Sequence, residues 1–517
     1  MTFRHRTGWI LGAVFLGATL IFPAPGGMEP DQWRVAGVGL LMATWWITEV
    51  LPIPITALLP LVLLPLLGIS TITEAAVPFA NPIIFLFMGG FMIAQAMLRW
   101  SLHRRLALGI ILRTGTEPRR LVAGFMLATA FLSMWVSNTA VAVMMLPIGL
   151  SVIGVVRGKK GEEALAADVS GETIADGPGE LTAVADGPDE LTPGGPVKDS
   201  FDVALLLGIA YAASIGGVAT LIGTPPNALL AGYMSSEFGV DIGFGAWMLV
   251  GLPVTLILLP VTWLLLTRFL FRVDDGAGDE ESGAARATSD SLRALRDELG
   301  AITTPERRVA WVFGVTALAW VSRPLLNTWI PELSDPGIAI TATLVLCILP
   351  AGGNREGPLL DWEWARGIPW GILLLFGGGL SLAGAITQSG LAIWIGEALT
   401  VAAGLHFLLV LLLVSGVIVF LTELTSNTAT AAAFLPILAG LALALGQDPL
   451  LFTVIAALAA SCAFMLPVAT PPNAVVFGSG AIRMDEMVRA GLLLNLLVIV
   501  LTPLVAFVVL TTFFGVG

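Results

Sequence analysis

The chain is a succession of apolar runs, each long enough to cross a bilayer, separated by short polar turns. A spanning helix needs about 20 mostly apolar residues. The runs predict such helices over 8–22, 33–50, 53–67, 82–100, 202–232, 245–268, 309–330, 337–350, 368–398, 450–480 and 490–513. Two further apolar stretches, 121–156 and 406–440, carry a polar tripeptide near the middle, Ser137-Asn138-Thr139 and Ser426-Asn427-Thr428. Each reads as two half-helices forming a re-entrant hairpin. The pattern predicts an all-α polytopic membrane protein with about 11 transmembrane helices and two such hairpins.

The polar positions inside the runs repeat in order. Ser137 returns as Ser426, an offset of 426 − 137 = 289 residues. Thr224-Pro225-Pro226-Asn227 returns as Thr470-Pro471-Pro472-Asn473, an offset of 470 − 224 = 246. Gly89-Gly90 and Gly378-Gly379, and Pro147 and Pro436, keep the offset of 289. Two duplicated halves follow. Polar clusters placed symmetrically in apolar repeats are how secondary transporters build a site at the membrane midplane.

The offsets differ by 289 − 246 = 43 residues, so the first half holds an insertion between Pro147 and Thr224. Composition locates it at 157–199, where Ala175–Thr182 is nearly repeated by Ala185–Thr192. Acidic, Gly- and Pro-rich sequence cannot bury enough apolar surface to fold. This stretch is expected to be a disordered cytoplasmic loop, a tolerated insertion rather than a regulatory device.

Composition agrees with the pattern. Of 517 residues, 56% are hydrophobic and 12% charged, and the mean hydropathy is +0.90. A soluble fold carries about twice that charged fraction. Cys347 and Cys462 lie in apolar segments and imply neither disulfide nor metal site. His5, His103 and His406 are scattered. The spans hold no His-Glu-x-x-His motif and no paired catalytic aspartates, so the chain does not read as an enzyme and no organic cofactor is expected. Arg4, His5 and Arg6 precede an apolar run ending near Ala24, but no small-residue cleavage site precedes Pro25. The run reads as a retained first helix rather than a signal peptide.

Charge orients the chain. With the N-terminus in the cytoplasm, Arg99, Arg104, Arg105, Arg113, Arg119, Arg120, Arg268, Arg366 and Arg483 fall on the cytoplasmic side. Only Arg34 and Arg323 fall outside. This is the positive-inside bias of a plasma (inner) membrane protein. It puts hairpin 121–156 on the cytoplasmic side and hairpin 406–440 on the outer side. The halves are inverted and the C-terminus lies outside. The net charge of −12 is concentrated in the linkers, as a salty cytoplasm would favour. In the linker 271–308, Leu292, Leu295 and Leu299 share a face beside Arg293 and Arg296, which predicts an interfacial amphipathic helix. Thr304-Pro305-Glu306 reads as the N-cap and first turn of the next span.

The duplicated motifs carry the chemistry. Ser, Asn and Thr are preferred N-caps, and an apolar helix former follows each tripeptide. Each therefore starts a half-helix whose free N–H groups and positive dipole end can hold an anion. Their neutral oxygens also suit a small hard cation such as Na+. Thr-Pro-Pro-Asn removes two N–H donors and disfavours helix in the residue before it. The break frees carbonyls, tolerated at that depth where they line a polar cavity. Gly223 and Ala469 precede each Thr and allow close approach. Four helix N-termini can then converge on one anion. A channel fits such a discrete cation-and-anion site less well than alternating access does.

The segments Met134–Ala140, Ile215–Asn227, Thr422–Ala429 and Met465–Asn473 resemble the divalent-anion/sodium symporter family, the di- and tricarboxylate and sulfate transporters. The similarity covers about Val35 to Phe513. It implies a homodimer in which each subunit has a fixed scaffold and a transport domain that moves as an elevator. The scaffold would comprise 1–120 and 309–405. The transport domain would comprise 121–156, 200–270, 406–440 and 441–517, with 157–199 and 271–308 as cytoplasmic connections. One sodium site would use Ser133, Ser137, Asn138 and Gly223, and its mate Thr422, Ser426, Asn427 and Ala469. Substrate carboxylates would meet Asn138, Thr139, Asn427 and Thr428, with Thr224, Thr470 and Pro471 nearby. The implied activity is sodium-coupled symport of small divalent anions, foremost C4-dicarboxylates such as succinate, malate and fumarate. The alternatives are sodium-independent dicarboxylate exchange, or citrate or sulfate as substrate.

Three charged residues lie in apolar surroundings. An intramembrane carboxylate is a functional hypothesis by default. Glu423 is expected to orient the second hairpin, with proton coupling as the alternative. Glu49 adjoins Pro52 at a helix end, where interfacial placement suffices. Arg323 is expected to snorkel outward.

Overall fold

The computed structural model describes residues 3–156, 200–273, 279–353, 355–398 and 405–515. The insertion expected at 157–199 lies outside the described residues. Helices α1 (Phe3–Ile21) and α2 (Pro30–Thr48) pack along each other. Helix α2 ends at Glu49, whose backbone is left-handed (φ 52, ψ 39). The span expected over 53–67 is broken into a turn, Ile53–Thr56, and α3 (Leu59–Leu66). Prolines 52, 54, 60 and 65 remove the N–H groups that would carry one helix through.

Helix α4 (Pro82–Arg99) is followed by α5 (Leu102–Thr114), which the sequence pattern did not predict as a separate element. It carries Arg104, Arg105 and Arg113 beside buried Leu102, Ala107, Leu108 and Ile111, so it is too polar to span and too apolar to leave the protein. Arg105 holds it down: its guanidinium reaches Glu306 at 3.1 Å and the carbonyls of Leu299 and Gly300.

Helices α6 (Pro118–Ser133) and α7 (Asn138–Val156) form the first expected hairpin. Helix α8 (Ser200–Val218) is buried along its whole length from Phe201. The chain unwinds over 219–224, resumes as α9 (Pro225–Phe238) and turns into α10 (Phe244–Leu264). The linker helix is α11 (Asp279–Glu298). Its Leu292 is fully buried, and the helix packs on α5 and α7, so protein rather than lipid covers that side. Helix α12 (Thr304–Val321) is capped one residue earlier than expected: Thr303 accepts from Glu306 N, and Glu306 accepts from Thr303 N at 2.6 Å. This reciprocal pair satisfies two orphan donors at once.

After α13 (Asp335–Ile348), a small antiparallel hairpin of β1 (Pro350–Gly352) and β2 (Arg355–Pro358) pairs Pro350 with Pro358. Helices α14 (Trp370–Gln388) and α15 (Leu391–Ala398) divide the run expected over 368–398, with Gly390 left-handed (φ 76) at the corner. Then come the second hairpin, α16 (Phe407–Thr422) and α17 (Asn427–Ala444), and α18 (Pro449–Ala460). The second unwound stretch precedes α19 (Pro471–Gly478), and α20 (Met484–Phe513) closes the fold. Among the described residues, seven helices are long and apolar enough to cross a membrane, and four shorter apolar helices accompany them.

Two long-range relationships position the site. Gly89 seats the backbone of Ala339, and its repeat mate Gly378 seats that of Ala57; a Cβ at either glycine would overlap the neighbouring chain. Helix α9 packs against α17, and α19 packs against α7. The helix that follows each Thr-Pro-Pro-Asn thus lies on the hairpin helix of the other half, which brings all four motif copies to one place.

Candidate functional site

The first hairpin turns at Met134–Ser137, and Asn138 opens α7. Ala140 N donates to Ser137 Oγ at 3.3 Å, the local bond expected of a capping serine. Ser133 Oγ lies 2.5 Å from the Asn138 carboxamide and 2.7 Å from the Ala213 carbonyl. The same carboxamide atom of Asn138 is 3.2 Å from both Gly223 O and Ala213 O. Oxygens therefore surround one point from three chain segments. Turning the Asn138 amide so that its nitrogen faces them satisfies the group without a cation.

The second hairpin repeats this with different atoms. Thr422 Oγ1 lies 2.7 Å from Asn427 Oδ1 and 3.0 Å from the Ala460 carbonyl. A hydroxyl has one proton for two acceptors, so here too oxygen lone pairs exceed donors.

The two breaks are clamped alike. Asn227 Nδ2 donates to Thr220 O at 2.8 Å and faces the Gly217 and Val218 carbonyls at 3.4 Å. Asn473 Nδ2 donates to Leu466 O at 3.0 Å and to Ala463 O at 3.2 Å. The acceptors Gly217 and Ala463, and Thr220 and Leu466, keep the offset of 246. Both asparagines are fully buried and turn away from the cavity described below. Their role is to supply donors to carbonyls that the unwound stretches leave short of backbone partners.

Glu423 is buried and fully engaged. Its carboxylate accepts from the backbone N–H of Phe464 (2.7 Å), Met465 (2.8 Å) and Leu466 (3.0 Å), and from Asn495 Nδ2 (2.7 Å). Its positional mate in the first hairpin is Met134, whose carbonyl accepts from Thr220 Oγ1. The same tie between hairpin and break is thus made in both halves, with a carboxylate in one and a backbone carbonyl in the other.

All four motif copies line one cavity of about 330 Å³, a volume typical of small-molecule sites. Asn138, Thr139, Thr224, Asn427, Thr428, Thr470 and Pro471 all reach it. So do Ser137, Gly223, Ser426 and Ala469, whereas Ser133 and Thr422 stand behind the surface, fully buried. The N-termini of α7, α9, α17 and α19 open onto it. Among the described residues, no lysine, arginine or histidine lines it. A further part of the wall, which motif reasoning did not find, includes Trp46, Ile53, Phe87, Phe91 and Ile372. These apolar positions carry no signal that separates them from ordinary packing residues. Glu49 also lines this wall; placement at an interfacial helix end is therefore an incomplete account of it.

Arg323 lies outside the cavity and does not snorkel freely. It bonds Asp241 at 2.9 Å and Asp335 at 3.3 Å, and Asp335 also accepts from Phe244 N at 2.6 Å.

A family model described as the sodium:sulfate symporter transmembrane region matches residues 5–513. A sodium-dependent dicarboxylate transporter of Staphylococcus saprophyticus, SdcS, is 41% identical over 513 residues, covering 98% of this chain and 92% of the relative. The protein of the same name from Staphylococcus aureus strain USA300 is likewise 41% identical over the same shares. Among solved structures, the Alcanivorax borkumensis YdaH transporter aligns with 12% identity and a TM-score of 0.49 over 99% of both chains, a likeness too weak to carry an argument.

Proposed function

This chain belongs to the sodium:sulfate symporter family of multi-pass membrane transporters, and on that premise we propose that it is a sodium-coupled symporter of small dicarboxylates. The substrates are C4 acids such as succinate, malate and fumarate. The convergence of four helix N-termini and both Ser-Asn-Thr tips on one cavity carries this reading. Relatives at 41% identity named sodium-dependent dicarboxylate transporters support it.

A dicarboxylate has a negative charge at each end, and the cavity has a hairpin tip on each side. Asn138 and Thr139 bind one carboxylate and Asn427 and Thr428 the other, with Thr224, Thr470 and Pro471 framing the chain between them. The N–H groups and positive ends of the helices stabilise the anion without a fixed cation, which suits a ligand that must also leave.

Ser133, Ser137, Asn138 and Gly223 hold one sodium ion, and Thr422, Ser426, Asn427 and Ala469 the other. The Ser133 hydroxyl with the Ala213 and Gly223 carbonyls, and the Thr422 hydroxyl with the Ala460 carbonyl and Asn427 Oδ1, fit this cargo: each is a set of neutral oxygens gathered from separate chain segments. Because Asn138 and Asn427 belong to both the ion and the anion contacts, sodium binding organises the substrate site. This is the differential contact that coupling requires.

Residues of 121–156, 200–270, 406–440 and 441–517 line the cavity together with residues of 1–120 and 309–405. We read the first group as a transport domain that slides past the second, a scaffold, in an elevator motion. The N-terminus is cytoplasmic, the C-terminus is outside, the halves are inverted repeats, and the protein is a homodimer.

The test is uptake of radiolabelled succinate into proteoliposomes, with an inward sodium gradient or with potassium in its place. Sodium-dependent accumulation is expected. Uptake that ignores sodium and requires internal dicarboxylate would make the protein an exchanger. Absence of uptake from folded protein would reject dicarboxylate as the substrate and direct the assay to citrate and sulfate.

A further inference from the structure

Among the described residues, the cavity wall contains one charged side chain, and its sign is the wrong one for an anion site. Glu49 lines the cavity and is exposed. It makes no salt bridge or side-chain hydrogen bond among the described residues. The other lining residues are neutral.

Its position is built rather than incidental. Glu49 caps α2 in the left-handed region (φ 52, ψ 39), a conformation that residues with a Cβ adopt at a cost. The turn is held on both sides: Trp46 Nε1 donates to Ile53 O at 3.2 Å across it, and Pro52 fixes the chain that follows. Trp46 is itself buried and lines the same cavity. The carboxylate therefore projects from a fixed corner at the open edge of the site.

We propose that Glu49 sets the charge selectivity of the site: its carboxylate penalises ligands with a third negative charge and so favours dianions over trianions. This rests on the reading of the cavity as a dicarboxylate site. Two hairpin tips satisfy two carboxylates. A third carboxylate has no third hairpin tip to meet and must lie among the remaining lining residues, of which Glu49 is the charged one. Repulsion between like charges scales with the charge on the ligand, whereas a steric or conformational role does not. Across a wet cavity the Coulomb interaction amounts to roughly threefold in affinity for each added ligand charge, and it weakens as salt rises.

The experiment is competition against labelled succinate at fixed sodium and at a pH above the last carboxyl pKa of every ligand. The competitors are monomethyl succinate, succinate and propane-1,2,3-tricarboxylate, which carry one, two and three negative charges. Wild type is compared with Glu49→Gln, Glu49→Asp and Glu49→Asn, the last because Asn tolerates the left-handed backbone. Thermal stabilisation of the purified protein by the same ligands reads binding even where a variant transports slowly.

The expected result is a fan. Glu49→Gln and Glu49→Asn strengthen the tricarboxylate most, by about tenfold more than the monoester, with succinate in between, and Glu49→Asp keeps the wild-type ranking. A uniform change for all three ligands, or none, overturns the proposal. So does a flat ligand series accompanied by altered sodium dependence, which would make Glu49 a cation ligand. A wild-type protein that neither binds nor transports any of the three would instead reject the dicarboxylate reading beneath it.

Discussion

Asn227 donates from its side-chain nitrogen to the carbonyl of Thr220, 2.8 Å away, across the gap between two helices. The contact explains why an asparagine ends the motif Thr-Pro-Pro-Asn. The first helix ends at Val218, the chain unwinds up to the prolines with carbonyls of the break short of backbone donors, and the Asn227 amide supplies one. Asn473 does the same for Leu466 and Ala463.

Asn227→Ala and Asn473→Ala should therefore lose stability before they lose chemistry. Each removes a buried donor from the carbonyls of the break, at a cost of roughly 1–3 kcal/mol. The melting temperature in detergent should fall for both, while the sodium dependence of the folded fraction stays as in wild type. Unchanged melting with a shifted sodium dependence would move these residues into the ion site.

Asn138→Ala and Asn427→Ala should behave in the opposite way. Both side chains reach the cavity, so uptake of labelled succinate should fall to background while melting stays near wild type. Wild-type uptake by either properly inserted variant would reject the site assignment.

Ser133→Ala and Thr422→Ala remove a buried hydroxyl from each oxygen cluster. A contact to a charged group is worth roughly 1.5–3 kcal/mol, so the half-saturating sodium concentration should rise about tenfold or more. Ser133→Thr and Thr422→Ser keep the oxygen and should shift it far less. An effect on succinate affinity at saturating sodium, without one on sodium itself, would overturn the ion assignment.

Glu423→Gln replaces one acceptor oxygen by a donor among four donors. We expect a loss of about 2–3 kcal/mol in stability, seen as a lower melting temperature. A variant as stable as wild type whose uptake no longer responds to pH would instead make Glu423 a proton carrier.

Arg323→Gln removes the partner of Asp335, which is buried and also holds Phe244 N. Breaking such a pair leaves an uncompensated charge and costs roughly 3–5 kcal/mol. Asp241→Asn, on the exposed side of the same arginine, should cost less than about 1 kcal/mol. Equal melting temperatures for the two variants would contradict this ranking.

The sequence by itself determined most of the apolar helices, the two hairpins, the two breaks and the motif residues that reach the cavity. These follow from local causes: an apolar run long enough to span, side chains that cap a helix, prolines that lack an N–H. Duplication made the signal strong, because chance does not place two motifs twice in order. Only the tertiary structure decided that α9 lies on α17 and α19 on α7, that Asn227 and Asn473 turn inward to the backbone, that Glu49 faces the cavity and that Arg323 is paired. It also turned the polar stretch 102–114 into a helix tied down through Arg105. Each of these depends on a partner far away in the chain. Hydrophobic periodicity and capping chemistry report only on neighbours within a few turns, so a contact such as Asn495 with Glu423 leaves no trace until the fold brings the two together.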